Sequence, residues 1–244
     1  SSSLFIPGIT GNSKGAANML REIGIKKEND NYKSLIELDE EELGKLITAI
    51  LLRTGKSGED IIGNIYLINF FNKLEDAREI SAMINACSRL GYSNIALSFC
   101  LGDKKTARKT EDIYAKYKQQ IISALNYVEN NKIEGRRYII INAKDNIKDT
   151  IVGTIASIMS MSFNCSEGTI IAVMAYDKDK IKVSARIAGR NGRNVREILE
   201  KTVNEIGGEC GGHAQAAGCL IKKDSEKKFI ESLIKNLELE VVKI

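Results

Sequence analysis

The chain has 244 residues, 43% of them hydrophobic and 28% charged, with a formal net charge of +4. Those values describe an ordinary globular protein of one large domain or two smaller ones. They exclude a surface that is basic all over, so any nucleic-acid site must be local. No apolar run reaches about 18 residues, so no membrane span is expected. No signal peptide is read at the start. Five cysteines (Cys87, Cys100, Cys165, Cys210, Cys219) are odd in number and widely spaced, and a single histidine accompanies them. Spacing therefore assembles no zinc site, and free, mostly buried thiols in a reducing cytoplasm are expected. The opening Ser1-Ser2-Ser3, without methionine, reads as the start of a fragment or a tag remnant.

In chain order, Phe5 to Asn12 is turn-rich and holds the only proline, Pro7. A short helical pattern through Ala16, Ala17, Leu20 and Ile23 stops at Gly24, and residues 26–38 read as a polar loop. From Asp39 to about residue 131 the periodicity predicts helices only. The first carries Leu43, Leu46, Ile47, Ile50 and Leu51. The second carries Ile61, Ile62, Ile65 and Leu67, and the third runs from about Leu74 to Leu90 with Gly91 as its stop. A long fourth helix spans about 104–130. Lys104, Lys105, Arg108 and Lys109 at its start oppose the macrodipole, so they are either a nucleic-acid-facing strip or a solvated face.

After Gly135 the pattern turns to alternating strands and helices. Strands are predicted over 137–143, 168–176, 181–187 and 216–221, and helices over 150–162, 194–206 and 225–237. The expected fold class is α/β, of the mixed α+β kind: a helical N-terminal part followed by a mixed-sheet domain with helices packed on it. The parts are residues 1–38 as a linker with a short helix, 39–135 as a helical insert and 136–244 as a C-terminal domain. The insert and the C-terminal domain are expected to be separable modules, with a cleavable joint near 130–136. There is no internal repeat and no low-complexity segment.

Two stretches carry candidate chemistry. Gly207-Gly208-Glu209-Cys210-Gly211-Gly212-His213 packs four glycines and the only histidine into seven residues, with Ala216-Ala217-Gly218 close behind. Glycine is worth its entropic cost where φ is positive or a backbone must come close. The stretch reads equally as a phosphate-binding loop rich in free N–H groups or as a C-cap glycine pair before a tight strand entry. Upstream, Ser184-Ala185-Arg186 ends a strand, and Arg190, Arg193 and Arg196 follow around a helix start marked by Asn194 and Glu197. Arginines there oppose the macrodipole, and a bound phosphate would relieve the conflict. A surface helix with solvated arginines is the equal alternative.

Gly211-Gly212-His213 followed by Ala216-Ala217-Gly218 resembles the glycine-rich motif of the DHH-associated C-terminal domain, found in DHH-family phosphoesterases such as RecJ-type exonucleases. The family usually has a third glycine where this chain has Cys210. Phe5-Ile6-Pro7-Gly8-Ile9-Thr10-Gly11, Asp76-Ala77-Arg78-Glu79, Asn85-Ala86-Cys87 and Cys100-Leu101-Gly102-Asp103 resemble the linker and helical insert of archaeal RecJ-like members. The related C-terminal domain of alanyl-tRNA synthetases shares a glycine-rich motif, but the linker and insert text speak against it.

The resemblance implies that residues 136–244 are a substrate-binding domain gripping single-stranded DNA or RNA. Its site would comprise Ser184, Arg186, Arg190, Asn191, Gly211, Gly212 and His213. It implies no metal held here, with Mn or Mg expected in a catalytic domain that this chain lacks, since Asp-His-His does not occur. The family's exonuclease activity would then be absent from the chain alone. The alternative is a scaffold protein of the archaeal replication machinery, meeting the GINS complex through the helical insert. Either role is cytoplasmic and needs no membrane.

Overall fold

The computed structural model describes residues 6, 8–10, 12–28, 30–33, 37–55, 63–162, 165–189 and 192–241. It divides into two compact units, residues 66–161 with 165–244 and residues 2–65 with 162–164.

The smaller unit holds α1 (Ser13–Glu22), the short hairpin of β1 (Lys27–Glu28) and β2 (Asn31–Tyr32), and α2 (Glu40–Thr54). Asn12 caps α1 by accepting from the Gly15 N–H at 3.0 Å. Asp39 and Glu42 form a reciprocal capping box on α2, which satisfies two N–H groups the helix leaves open. Gly55 ends α2 in the left-handed conformation that suits glycine. Met19, Ile25 and Leu46 are buried together, with Ile23, Tyr32 and Ile50 against them. The loop expected over 26–38 therefore contains a two-stranded hairpin.

The larger unit opens with β3 (Leu67–Phe70) and β4 (Lys73–Asp76), where the sequence predicted helices only. Phe71 and Asn72 both take positive φ (52° and 63°), the backbone of a two-residue hairpin turn whose twist matches paired strands. Leu67 is thus in a strand, and the expected helix over 74–90 is shortened to α3 (Ala77–Arg89). Ile61 and Ile62 lie outside the described residues. Then come α4 (Ser93–Cys100) and α5 (Lys104–Asn130). Asp76 and Asp103 cap α3 and α5 with their carboxylates. Cys87, Ile95, Ala96 and Ile113 form the core of this helical cluster.

The rest of the larger unit is built on a six-stranded sheet in the spatial order β5-β6-β7-β8-β10-β9. Its strands are β5 (Ile133–Gly135), β6 (Tyr138–Asn142), β7 (Ile170–Asp177), β8 (Lys180–Ile187), β9 (Glu209–His213) and β10 (Ala216–Lys222). The sheet is mixed: β6 and β7 run parallel and the other neighbours antiparallel. The parallel pair needs a crossover, supplied by a 3₁₀ turn (Asp149–Ile151) and α6 (Val152–Ser160). The remaining helices are α7 (Val195–Ile206) and α8 (Glu226–Val241), making eight α-helices among the described residues.

The two sheet faces are covered differently. On one, Ile140, Ala172, Met174, Val183 and Cys219 meet Ile198 and Leu199 of α7 and Phe229, Leu233 and Leu237 of α8. On the other, α6 lies against β7 and β8. Ile155 and Ala156 of α6 are buried there, as are Ile171 and Val173 of β7. Strand β7 is therefore apolar on both faces, which is why it reads as a continuous apolar run.

The expected boundaries at 38 and 135 differ from the observed division. Helices α3 to α5 belong to the same compact unit as the sheet. The expected joint holds β5, whose Ile133 pairs with Ile140 of β6. Tyr117 of α5 shares a 3.1 Å hydrogen bond with Thr154 of α6, and Asn146 donates to the Tyr127 hydroxyl at 3.4 Å.

Candidate functional site

Strand β8 alternates strictly. Ile181, Val183, Ala185 and Ile187 enter the core, which turns Lys182, Ser184 and Arg186 to the opposite face. The register carries that face across the sheet edge. Arg186 stands opposite Ala216, and Ala216 opposite His213; Ser184 stands opposite Gly218, and Gly218 opposite Gly211. The result is a shelf with Arg186 and Ser184 at its back and His213 at its rim. Small residues floor it, and Gly211 and His213 are exposed. Arg186 and His213 are two strand spacings apart, roughly 10 Å at the backbone.

The glycine stretch is thus not a loop. Residues 209–213 are edge strand β9, closed by a turn at Ala214 and Gln215. Gly208 and Gly212 serve the protein's own packing. At Gly212 (φ 130°) a Cβ would lie 2.5 Å from the Ala216 carbonyl oxygen and from the Ala217 Cα. Gly212 also faces Ala217, on the core side of the sheet, so it does not floor the shelf. At Gly218 a Cβ would lie 2.8 Å from the Val183 carbonyl oxygen. Gly211 differs, because a Cβ there would meet nothing within 4 Å. The turn is pinned from behind: the Ala214 carbonyl accepts from Val195 N–H at 2.8 Å and the Gln215 carbonyl from Ile187 N–H at 3.2 Å.

Arg186 is half-buried. Its Nη1 donates to the Ala185 carbonyl at 2.8 Å, and among the described residues no carboxylate pairs with it. Burial first, and the nearby Arg89 guanidinium second, push its pKa down from the ordinary arginine value. Arg89, in the last turn of α3, donates from Nη1 to the Thr150 carbonyl at 3.2 Å. One turn further on is Gly153. A Cβ there would lie 3.4 Å from Ser184 Oγ and 3.7 Å from Arg186 Nη2. Arg89 was not expected at the site. A basic residue in a helix's last turn suits the macrodipole, so nothing in the sequence marks this arginine out. Lys182, next along the same face, pairs with Asp149 at 3.5 Å.

The other arginines have different work. Arg193 is only 6% exposed and donates to the carbonyls of Leu237 (2.8 Å), Gly168 (3.4 Å) and Arg137. It ties three chain segments together, which corrects the expectation that it awaits a phosphate. Arg196 donates to Glu200 at 2.6 Å and to the Gly212 carbonyl at 3.5 Å, so its charge conflict with α7 is relieved within the chain. Asn194 caps α7 as expected, accepting from the Arg196 and Glu197 N–H groups. Arg190 and Asn191 lie outside the described residues. Among the described residues no group of three or more His, Cys, Asp or Glu is placed to hold a metal ion.

Residues 135–239 match the model of the DHHA1 domain. The chain is 28% identical over 238 residues to the uncharacterized protein MJ0831 of Methanocaldococcus jannaschii, covering 93% of this chain and 48% of that protein. It therefore spans about half the length of the curated relative it matches. Among solved structures, RecJ of Thermus thermophilus, crystallised with Mg²⁺, superposes with a TM-score of 0.51 at 20% identity, over 63% of this chain and 24% of RecJ. CDC45 of Entamoeba histolytica superposes with a TM-score of 0.54 at 11% identity, over 92% of this chain and 51% of CDC45. At such identities these two show a shared fold.

A mixed sheet ending in a glycine-rich edge hairpin, with helices on both faces, is here the framework of a DHHA1 domain. Residues 135–239 thus carry a DHHA1 domain, and the fold of the chain is similar to part of RecJ and of CDC45.

Proposed function

We propose that the shelf of β8, β10 and β9 holds the phosphate backbone of single-stranded DNA or RNA, as the substrate-binding part of a RecJ-like exonuclease acting in the cytoplasm. The observation that carries this is Arg186, a half-buried guanidinium without a carboxylate partner among the described residues. A cation kept that way is costly unless an anion arrives, and a guanidinium fork fits phosphate. The openness of Gly211, which the fold does not require, and the exposed His213 support the same reading. Arg190 and Asn191 extend the site by family resemblance alone. Mn or Mg would be bound by a catalytic domain outside this chain, so the chain alone should not hydrolyse a strand.

Fluorescence anisotropy with a short labelled oligonucleotide tests the reading. Arg186→Ala should weaken binding roughly 10- to 100-fold, the loss of one charge-assisted contact. Affinity should fall with salt by about 0.7 log units per log unit for each phosphate neutralised. Unchanged binding in Arg186→Ala would overturn it.

A specific observation favours a second role beside the first. Leu67 (59%), Leu74 (72%), Leu97 (62%) and Leu101 (79%) expose large apolar side chains on the β3–β4 hairpin and around α4. Such exposure suits docking of a partner protein, the GINS complex by family resemblance. Leu74→Glu should abolish co-elution with purified GINS and leave strand binding intact. Co-elution unaffected by Leu74→Glu would remove the hairpin from that role.

A further inference from the structure

Two thiols face each other across the edge of the sheet. Cys219 of β10 stands directly opposite Cys210 of β9, and both are free. No other two cysteines are register partners among the described residues. Opposed residues on antiparallel strands have Cα atoms about 4.5–5.5 Å apart, inside the window of about 4.4–6.8 Å that a disulfide needs. Both side chains point to the same face: Cys219 lies in the core with α7 and α8, and Cys210 packs against that core. Their Cβ atoms, by the same spacing, stand about 1 Å further apart than in a disulfide. Strand β9 can supply that closure, because it is an edge strand with β10 as its one neighbour in the sheet.

We propose that Cys210 and Cys219 are a redox-modification site, a dithiol that a small disulfide such as oxidised glutathione converts to a cross-strand disulfide clamping β9 to β10. The reaction takes two exchanges. The Cys210 sulfur, its proton lost to solvent, attacks one sulfur of oxidised glutathione, breaks that disulfide and releases one glutathione thiolate. The Cys219 sulfur, deprotonated in turn, attacks the Cys210 sulfur of the mixed disulfide and releases the second glutathione thiolate. Two cysteine thiols are thus oxidised, one disulfide is reduced to two glutathiones, and these take up the two protons. The order follows from access, since Cys210 is partly exposed and Cys219 only 5% exposed. Burial first, then the Glu200 carboxylate, pushes the Cys210 thiol up, and the Arg196 guanidinium partly offsets them. Burial first, then neighbouring Cys210, pushes Cys219 up. Few thiolates are therefore present at neutral pH, which makes the first exchange slow. The second is fast by comparison, because Cys219 is already held against its target. The site is on the core side of the hairpin, and its chemistry does not depend on what the shelf binds.

The test is mass mapping of the chain after incubation with oxidised glutathione, with the remaining thiols alkylated in denaturant. Trypsin leaves both cysteines in one peptide, 202–222, because no lysine or arginine lies between Lys201 and Lys222. That peptide should escape alkylation and be lighter than its reduced form by the mass of two hydrogens. Dithiothreitol should restore both alkylation sites. Cys100 is exposed and reports whether the oxidant has acted, by carrying glutathione. If peptide 202–222 is alkylated twice while Cys100 is loaded with glutathione, the proposal falls. It also falls if Cys210 keeps glutathione and Cys219 is alkylated, since the two sulfurs then do not meet. The cross-link shortens the loop available to the unfolded chain, so the oxidised parent should melt about 2–4 °C above the reduced one. Cys210→Ala, at a partly exposed position, should melt alike in both states. A disulfide that forms without raising the melting temperature of the parent above that of Cys210→Ala would overturn the clamp.

Discussion

The two faces of the six-stranded sheet use the same strands to opposite ends. The face under α7 and α8 is filled with large side chains, from Ile140 and Met174 to Phe229, all fully buried. The other face is filled only where α6 covers β7 and β8. Beyond that helix it runs out into Ala216, Gly218 and Gly211, with Arg186 and His213 at the margins. Small residues on a covered face would signal poor packing. On an uncovered edge they leave room for a ligand to lie against the backbone. The contrast separates residues that hold the fold from those free to bind.

The largest expected effect lies on the filled face. Phe229→Ala should cost about 3–5 kcal/mol, because its ring is buried among Ile198, Leu199 and their neighbours and the space cannot collapse fully. Urea unfolding measures this, and a loss below about 1 kcal/mol would show that the face is loosely packed. Gly212→Val comes next. The backbone is left-handed there and a Cβ would strike Ala216 and Ala217, so a cost of about 2–4 kcal/mol is expected. Any loss of strand binding should then follow loss of the hairpin. A fully stable Gly212→Val variant would overturn that assignment.

A smaller effect is confined to alkaline pH. The Tyr176 hydroxyl donates to Glu226 at 2.5 Å, and that hydrogen bond first, then burial, pushes its pKa up to about 12. The folded state therefore holds this proton more tightly than the unfolded chain, whose tyrosines titrate near ~10. The stabilisation is fully present below about pH 10 and is lost as pH rises through about 12. Tyr176→Phe should remove that part of the alkaline decline in melting temperature. An unchanged alkaline profile would mean that the hydrogen bond is not maintained in solution.

Much of this contrast could be read from the amino acids. The apolar run of β7, the strand of β8, the capping pair Asn194–Glu197 and the length of α5 follow from local rules and survive in the structure. What local rules missed depends on distance. The β3–β4 hairpin turns on Phe71 and Asn72 at positive φ, without the glycine that usually marks such a turn. The glycine stretch looked like a loop because glycine disfavours strands, yet β10 supplies the partner that makes residues 209–213 extended. Arg193 looked like a phosphate ligand until the Leu237, Arg137 and Gly168 carbonyls closed around it. Arg89 and Arg186 meet only through tertiary packing, so no spacing could have joined them. The motif located the shelf, while the division of its glycines between fold and ligand needed the register.

That division gives the smallest and most selective expected effect, at Gly211. Its Cβ position is open for 4 Å, and unlike Gly212 it does not need a left-handed backbone. Alanine in an extended strand loses less entropy on folding than glycine does, so Gly211→Ala should melt at or slightly above the parent's temperature. The added methyl would stand on the shelf between Gly218 and the rim, on the face that carries Arg186 and His213. A phosphate drawn to the backbone there would be held off, losing one hydrogen bond worth about 0.5–1.5 kcal/mol, a roughly two- to tenfold loss of affinity. Stability rising while affinity falls is a result no packing role can produce. If Gly211→Ala binds the oligonucleotide as the parent does, the strand does not lie on the open floor. Binding would then be confined to the arginine corner at the start of α6.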